Sequence, residues 1–174
     1  MNTKNLVVSS MLLGVGTVLY LVIPGINGGM KPDFLLTMMF ITILLTPTVK
    51  HTVVVGLATG LLSGLFTTFP GGFLPNVIDK FITALAFFAL VVILKTVATK
   101  LVTQAVLTAA GTALSGAIFL ASAIFIMGAE VPFTVLYLGV VLPAIALNTI
   151  AFVIIYPIVQ QTLKRSSLRT SVAN

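Results

Sequence analysis

The chain has no cysteine and no tryptophan, one histidine and only three acidic residues among its 174. Without cysteine there is no disulfide, no thiolate nucleophile and no thiolate metal site. The lone histidine, His51, falls in a turn after Pro47, where it reads as a solvated residue without a catalytic or metal partner. Neither an H-E-x-x-H helix nor a G-x-x-x-x-G-K phosphate loop occurs. No intramembrane enzyme, resident metal or cofactor is expected. Charge is scarce too, at 7% of residues against a usual share of about 25%. The net charge of +6 is spread over cations standing one or two at a time, which does not suit nucleic acid.

What the chain has instead is apolar length. Hydrophobic residues make up 59% of it and the mean hydropathy is +1.23, more than a water-soluble domain of this size can hide. Apolar segments fall at 6–23, 34–48, 52–69, 76–94, 101–127 and 133–160, separated by glycine, proline and lysine. Backbone groups in hydrocarbon must be satisfied within each segment, and the alternation of a membrane barrel is absent. The expectation is an all-α membrane domain over 1–174, with six transmembrane helices and a polar tail at 161–174. The N-terminal segment lacks a convincing cleavage site and is read as a retained first span. At about 1.5 Å per residue, segment 34–48 barely crosses the bilayer. Pro143 should kink the last segment.

Seven cations (Lys4, Lys50, Lys95, Lys100, Lys164, Arg165, Arg169) fall on one side of this layout, and two (Lys31, Lys80) on the other. That bias places both termini in the cytoplasm. The three acids, Asp33, Asp79 and Glu130, then all lie outside, each near the start of an even-numbered helix. Helix N-termini favour carboxylates, and Asn76 with Asp79 resembles a capping box. Capping alone does not explain why Lys31 stands beside Asp33 and Lys80 beside Asp79.

Small residues recur at four-residue spacing: Gly56, Gly60 and Gly64 in the third segment, Thr108, Thr112 and Gly116 in the fifth, and Ser10 and Gly14 with Thr17 in the first. Such stripes let backbones approach closely. For the third and fifth, packing inside the bundle is the expected use.

The outer loops NGGMKPD, PGGFLPNVIDK and MGAEVPF bring polar groups close to Phe34, Phe69, Phe73, Phe81 and Phe133. Such a mouth suits an amphiphilic solute with both charges, of which a zwitterionic aromatic amino acid is an example. Its ammonium would seek Asp33, Asp79 or Glu130, and its carboxylate Lys31, Lys80 or an amide. Asn148, five residues beyond Pro143, is a buried candidate that reads equally as interhelical glue. The binding candidates are thus Lys31, Asp33, Phe69, Phe73, Asn76, Asp79, Lys80, Glu130 and Asn148.

The stretches GTVLYLVIPGINGGMKPDFLL, TTFPGGFLPNVIDK and VLPAIALNTIAFVIIYPIVQ resemble, in order and over nearly the whole chain, the small bacterial tryptophan transport protein family. The resemblance implies a multi-pass bacterial plasma-membrane protein for tryptophan uptake. In size and layout that family is similar to the substrate-binding subunits of energy-coupling factor transporters. Those subunits dock on a transmembrane coupling protein driven by two ATPases, through a small-x-x-x-small motif on the first helix. Ser10 and Gly14 are the matching positions here, where alanine is commoner. The same likeness makes NGGMKPD a lid, with Gly28, Gly29 and Met30 in its mobile part. Lys31 and Asp33 would face the solute or latch the lid shut. Two other readings remain: the same scaffold for another solute such as a vitamin, and a non-transporting regulatory or assembly subunit. A channel is disfavoured, because no segment carries a repeated polar stripe.

Overall fold

The computed structural model describes residues 3–24 and 32–165, and among them every regular element is helical. The elements are α1 (Thr3–Val22), α2 (Phe34–Leu45), α3 (Val49–Leu65), α4 (Phe73–Ile93), α5 (Leu101–Phe125), α6 (Phe133–Leu136) and α7 (Leu142–Arg165). A π-helical turn, Tyr137–Val141, joins α6 to α7, so Phe133–Arg165 forms one 33-residue rod. This rod, α1, α4 and α5 are each long and apolar enough to cross a membrane. Helices α2 and α3 have 12 and 17 residues. At about 1.5 Å per residue, α2 is only about 18 Å long against a hydrocarbon core of about 30 Å.

The shortest of the principal helices is the centre of the bundle. Every residue from Phe34 to Leu44 is buried, polar Thr37 and Thr42 included. An apolar helix without a polar face has to be enclosed on all sides, and α2 is packed against α1, α3, α4, α5 and α7. Thr42 returns its hydroxyl to the Met39 carbonyl at 2.8 Å, so its burial leaves no unmet donor. At mid-helix the Phe40 ring stacks on Phe87, with centroids 4.2 Å apart and planes at 21°. The tip of the ring meets Gly111 of α5, where a Cβ would fall 2.7 Å from Cζ.

Glycine likewise sets the approach of α3 to α4. A Cβ on Gly60 would lie 2.9 Å from the Val77 Cα, and one on Gly56 2.8 Å from the Ala84 Cβ. Phe73 of α4 closes over Gly64 in the same way. The third-segment stripe is therefore internal packing. On α5, Thr108, Thr112 and Ser115 are buried, and Gly116 admits the Val141 side chain. On α1 the stripe behaves differently. Ser10 and Gly14 are exposed, and a Cβ on Gly14 would meet nothing within 4 Å.

Turn chemistry fixes where helices stop. Pro47 ends α2, and Gly71 and Gly128 take φ of 69° and 67°, a left-handed conformation that side chains resist. Two expectations need correction. Helix α3 begins at Val49, which carries His51 out of the turn and into the first helical turn facing α1. There His51 is fully buried, with Nε2 2.7 Å from the Ser9 hydroxyl, so it is not a solvated residue. Helix α4 begins at Phe73 after Gly72, so Asn76 and Asp79 do not form a capping box; Asn76 donates to the Gly72 carbonyl at 2.8 Å. Before Pro143 the helix widens by one residue: Leu142 donates to Tyr137, five residues back. Proline has no N–H for the four-back ladder, and the π turn stands immediately before it. A second proline, Pro157, lies inside α7.

The glycine contacts give a paired test. Gly60→Leu should lower the melting temperature in detergent, with an overpacking penalty of about 1–3 kcal/mol, while Gly14→Leu should leave it unchanged. Equal melting temperatures for the two variants would contradict the α3–α4 packing described.

Candidate functional site

At the end of the bundle where α2 begins, α2 and α4 bring three charges together. The Asp33 side chain caps α2, its Oδ1 accepting from the Leu36 N–H at 2.9 Å. Its second oxygen, Oδ2, lies 2.9 Å from the Lys80 Nζ. That ammonium also sits 2.7 Å from the Asp79 Oδ2 and 3.2 Å from the Ser115 Oγ. Three donors thus meet three acceptors, which saturates the ammonium. Asp79 is equally committed: Oδ2 accepts from the Ser115 hydroxyl at 2.8 Å and Oδ1 from the Thr83 hydroxyl at 2.9 Å. Neither Asp79 nor Lys80 is accessible, whereas the Asp33 side chain is 28% exposed. Two carboxylates against one ammonium leave a formal −1, and Asp33 is the member that presents it.

Asn148 completes the arrangement from α7. Its Oδ1 accepts from the Asp33 backbone N–H at 2.7 Å, and its Nδ2 reaches the Thr112 hydroxyl at 3.4 Å, a long contact. The cap of the central helix is therefore held by α4 through its side chain and by α7 through its backbone.

These groups border a cavity of about 300 Å³. Asp33, Thr112 and Asn148 belong to its polar lining. Phe69, Phe119, Leu136 and Val140 belong to its apolar lining. Phe69 and Phe119 meet edge to face, with centroids 5.3 Å apart. Tyr20 contributes from the end of α1. The π turn supplies Val140 and Val141, and such turns are frequent at functional sites. The volume lies at the small end of ligand pockets, which matches one amino-acid-sized solute.

Of the residues singled out in the sequence, the structure gathers Asp33, Phe69, Asn76, Asp79, Lys80 and Asn148 around this cavity. Phe73 is 45% exposed and packs over Gly64, and Glu130 is an exposed loop residue; neither lines the cavity. Gly28, Gly29, Met30 and Lys31 lie outside the described residues. Four contributors were not foreseen as site residues: Tyr20, Thr112, Ser115 and Phe119. The last three follow helical spacing on one face of α5, a pattern that reads as packing when only small side chains are considered. Among the described residues, no cluster of three or more histidines and acids could hold a metal.

A helical membrane bundle that keeps a net-charged cluster beside a small cavity lined in part by aromatic rings has the layout of the proteins that hold and move a solute across the bilayer. The chain belongs to the tryptophan transporter family: the family model described as "Tryptophan transporter TrpP" matches residues 2–164. It is 48% identical over 167 residues to the "Probable tryptophan transport protein" of Bacillus subtilis (strain 168), covering 96% of each chain. Proteins of the same description from Clostridium acetobutylicum and Clostridium perfringens are 41% and 38% identical, covering 94% and 96% of this chain and 96% and 97% of theirs. No solved structure matches the chain significantly.

Removing one partner from a buried ion pair costs about 3–5 kcal/mol, because it strands the other charge. Lys80→Met should therefore lower the melting temperature sharply, with two carboxylates left facing each other. Lys80→Met combined with Asp79→Asn should recover much of that loss. A double variant as unstable as the single one would mean that the charges are not coupled as the distances imply.

Proposed function

We propose that this chain takes up tryptophan across a bacterial plasma membrane as a six-helix bundle with both termini in the cytoplasm. The observation that carries the reading is the Asp33 carboxylate, the exposed member of a cluster with net negative charge, on the wall of a cavity faced by Phe69 and Phe119. A zwitterionic aromatic amino acid answers each part. Its ammonium meets Asp33 in a charge-assisted hydrogen bond. Its ring lies against Phe69, Phe119 and Val140. Its carboxylate takes the Asn148 amide, whose 3.4 Å contact to Thr112 is readily exchanged for a shorter one. Lys80 and Asp79 act as positioning residues: saturated by each other, Asp33, Ser115 and Thr83, they hold the carboxylate of Asp33 in place.

The orientation rests on charge placement. Lys50, Lys95, Lys100, Lys164 and Arg165 stand at the end away from the cavity, as the positive-inside rule requires of a cytoplasmic face. In this reading α2 and α3 cross as short helices inside the bundle and the cavity opens outward. The chain acts as the solute-binding component of an energy-coupling factor transporter, so the energy comes from the ATPases of the coupling module. The exposed Ser10 and Gly14 on α1 form the surface that meets the transmembrane coupling protein, and the segment between α1 and α2 closes over the bound solute.

The absence of tryptophan in the chain supplies the assay, since added tryptophan is then the sole indole. Titrated into purified protein, tryptophan should show a saturable blue shift of emission that excess phenylalanine, histidine or thiamine does not reverse. Asp33→Asn should weaken binding by about tenfold or more, the size of a lost hydrogen bond to a charged group. Displacement by thiamine would move the reading to a vitamin, and no shift under any condition would remove tryptophan. Gly14→Leu should abolish uptake in vesicles containing the coupling module while leaving the blue shift intact; uptake undiminished by that change would argue for transport without docking.

A further inference from the structure

A second and larger cavity, of about 520 Å³, lies at the opposite end of the bundle, between the C-terminal end of α2 and the ends of α4, α5 and α7. Leu44, Val91, Val92 and Leu163 make its apolar wall. Lys95, in the α4–α5 turn, and Lys164, in the last turn of α7, are exposed lysines that line it. Neither has an ion pair among the described residues, and no acidic side chain is within reach. Asp33 and Asp79 are at the far end, and Glu130 is in the loop after α5, also at the far end.

The cavity also has a buried polar wall. Gln104 is 4% exposed and donates its amide to the Ala98 carbonyl at 2.8 Å and to the Tyr156 hydroxyl at 3.0 Å. Those two bonds fix which end of the amide is oxygen, and that oxygen, Oε1, is buried without a partner. Such an atom calls for a donor, since a stranded buried acceptor is costly. The Tyr156 hydroxyl accepts from Gln104 and, at 2.8 Å, from the Gln160 amide, and still has its own hydrogen to give.

We propose that this cavity is a site for one anionic phospholipid with a hydroxylated headgroup, of the phosphatidylglycerol type. The two lysines face the phosphodiester. A headgroup hydroxyl donates to the Gln104 Oε1 and another accepts from Tyr156. An acyl chain runs along Leu44, Val92 and Leu163. Basic pockets between membrane helices at a cation-rich face bind anionic headgroups by this chemistry. A soluble phosphate ester would satisfy the lysines but leave the apolar wall unused, and a choline headgroup has no hydroxyl to give Gln104. The bound lipid ties the α4–α5 turn to the end of α7, two segments that the Gln104–Tyr156–Gln160 bonds already bring together. The site is separate from the solute cavity and does not depend on the identity of the solute.

The test is native mass spectrometry of the full chain released from detergent with phosphatidylglycerol, phosphatidic acid or phosphatidylcholine of equal chain length. One phosphatidylglycerol should be retained in preference to phosphatidylcholine. Lys95→Gln with Lys164→Gln should reduce that preference by about thirtyfold, as two lysines near an anionic headgroup imply. Both are exposed residues outside the solute cavity, so an unchanged melting temperature in lipid-free detergent serves as the control for folding. Gln104→Leu should weaken phosphatidylglycerol more than phosphatidic acid, which lacks the headgroup hydroxyls. The proposal is overturned if phosphatidylglycerol binds no better than phosphatidylcholine, or binds in many copies without preference. It is equally overturned if the lysine pair makes no difference, or if free glycerol phosphate displaces the lipid.

Discussion

The structure hangs on one ammonium group. Lys80 is buried between Asp33 and Asp79, with Ser115 as its third acceptor, so it links the cap of α2 to α4 and α5 at a single point. A charge removed from water in this way is tolerable only when every donor is met, and the surrounding residues meet each one. Helix α2 depends on this directly. It is apolar all round and short, and its first turn is anchored by an aspartate that also has to face a cavity. Were Asp33 unpaired, the end of the innermost helix would carry a free carboxylate inside the bundle. With Lys80 opposite and Asn148 accepting from its backbone, the same carboxylate is held in place at the wall of the cavity.

Much of this was legible in the sequence, and the failures have physical causes. Apolar length located the helical segments, and the stripe of Gly56, Gly60 and Gly64 announced a close helix pair. The adjacent Asp79 and Lys80 were readable as a pair, and Asn148 as a buried amide of some consequence. Sequence proximity did not reveal that Asp33 meets Lys80, forty-seven residues on; such contacts are set by packing, not by spacing. His51 misled because Pro47 marks the end of α2 without revealing that α3 restarts within two residues, at Val49. Glu130 and Phe73 were grouped with the site by their loops. Loops say which end of the bundle a residue occupies, not which way it points. Thr112 and Ser115 were visible as small residues, and their second use as hydrogen-bonding groups was hidden by the first.

The two ends of the bundle divide their chemistry cleanly. The acids and the cavity lined by Phe69 and Phe119 occupy one end. The unpaired lysines and the amide wall of Gln104 and Gln160 occupy the other, and the buried length of α2 separates them. Phe40, stacked on Phe87 and seated against Gly111, fills the middle of that septum. Anything passing from one end to the other cannot go through the packed centre without unstacking it.

The π-helical turn before Pro143 carries a consequence for how the chain tolerates change. Such a turn accommodates one residue more than the α-helical path around it would hold. The extra residue is taken up locally, so the helix beyond it keeps the phase of an unbroken α-helix. Excising one residue of Tyr137–Val141 would let the rod close into continuous α-helix with Asn148 still over the cap of α2 and Tyr156 still against Gln104. The same excision a few residues later, between Leu142 and Leu147, would turn the rest of α7 by about 100° and shift it by about 1.5 Å. Asn148 would then swing off the cap of α2, and Tyr156 would leave Gln104, so both cavities would lose a wall at once. Where a residue is lost along the rod thus matters more than that one is lost.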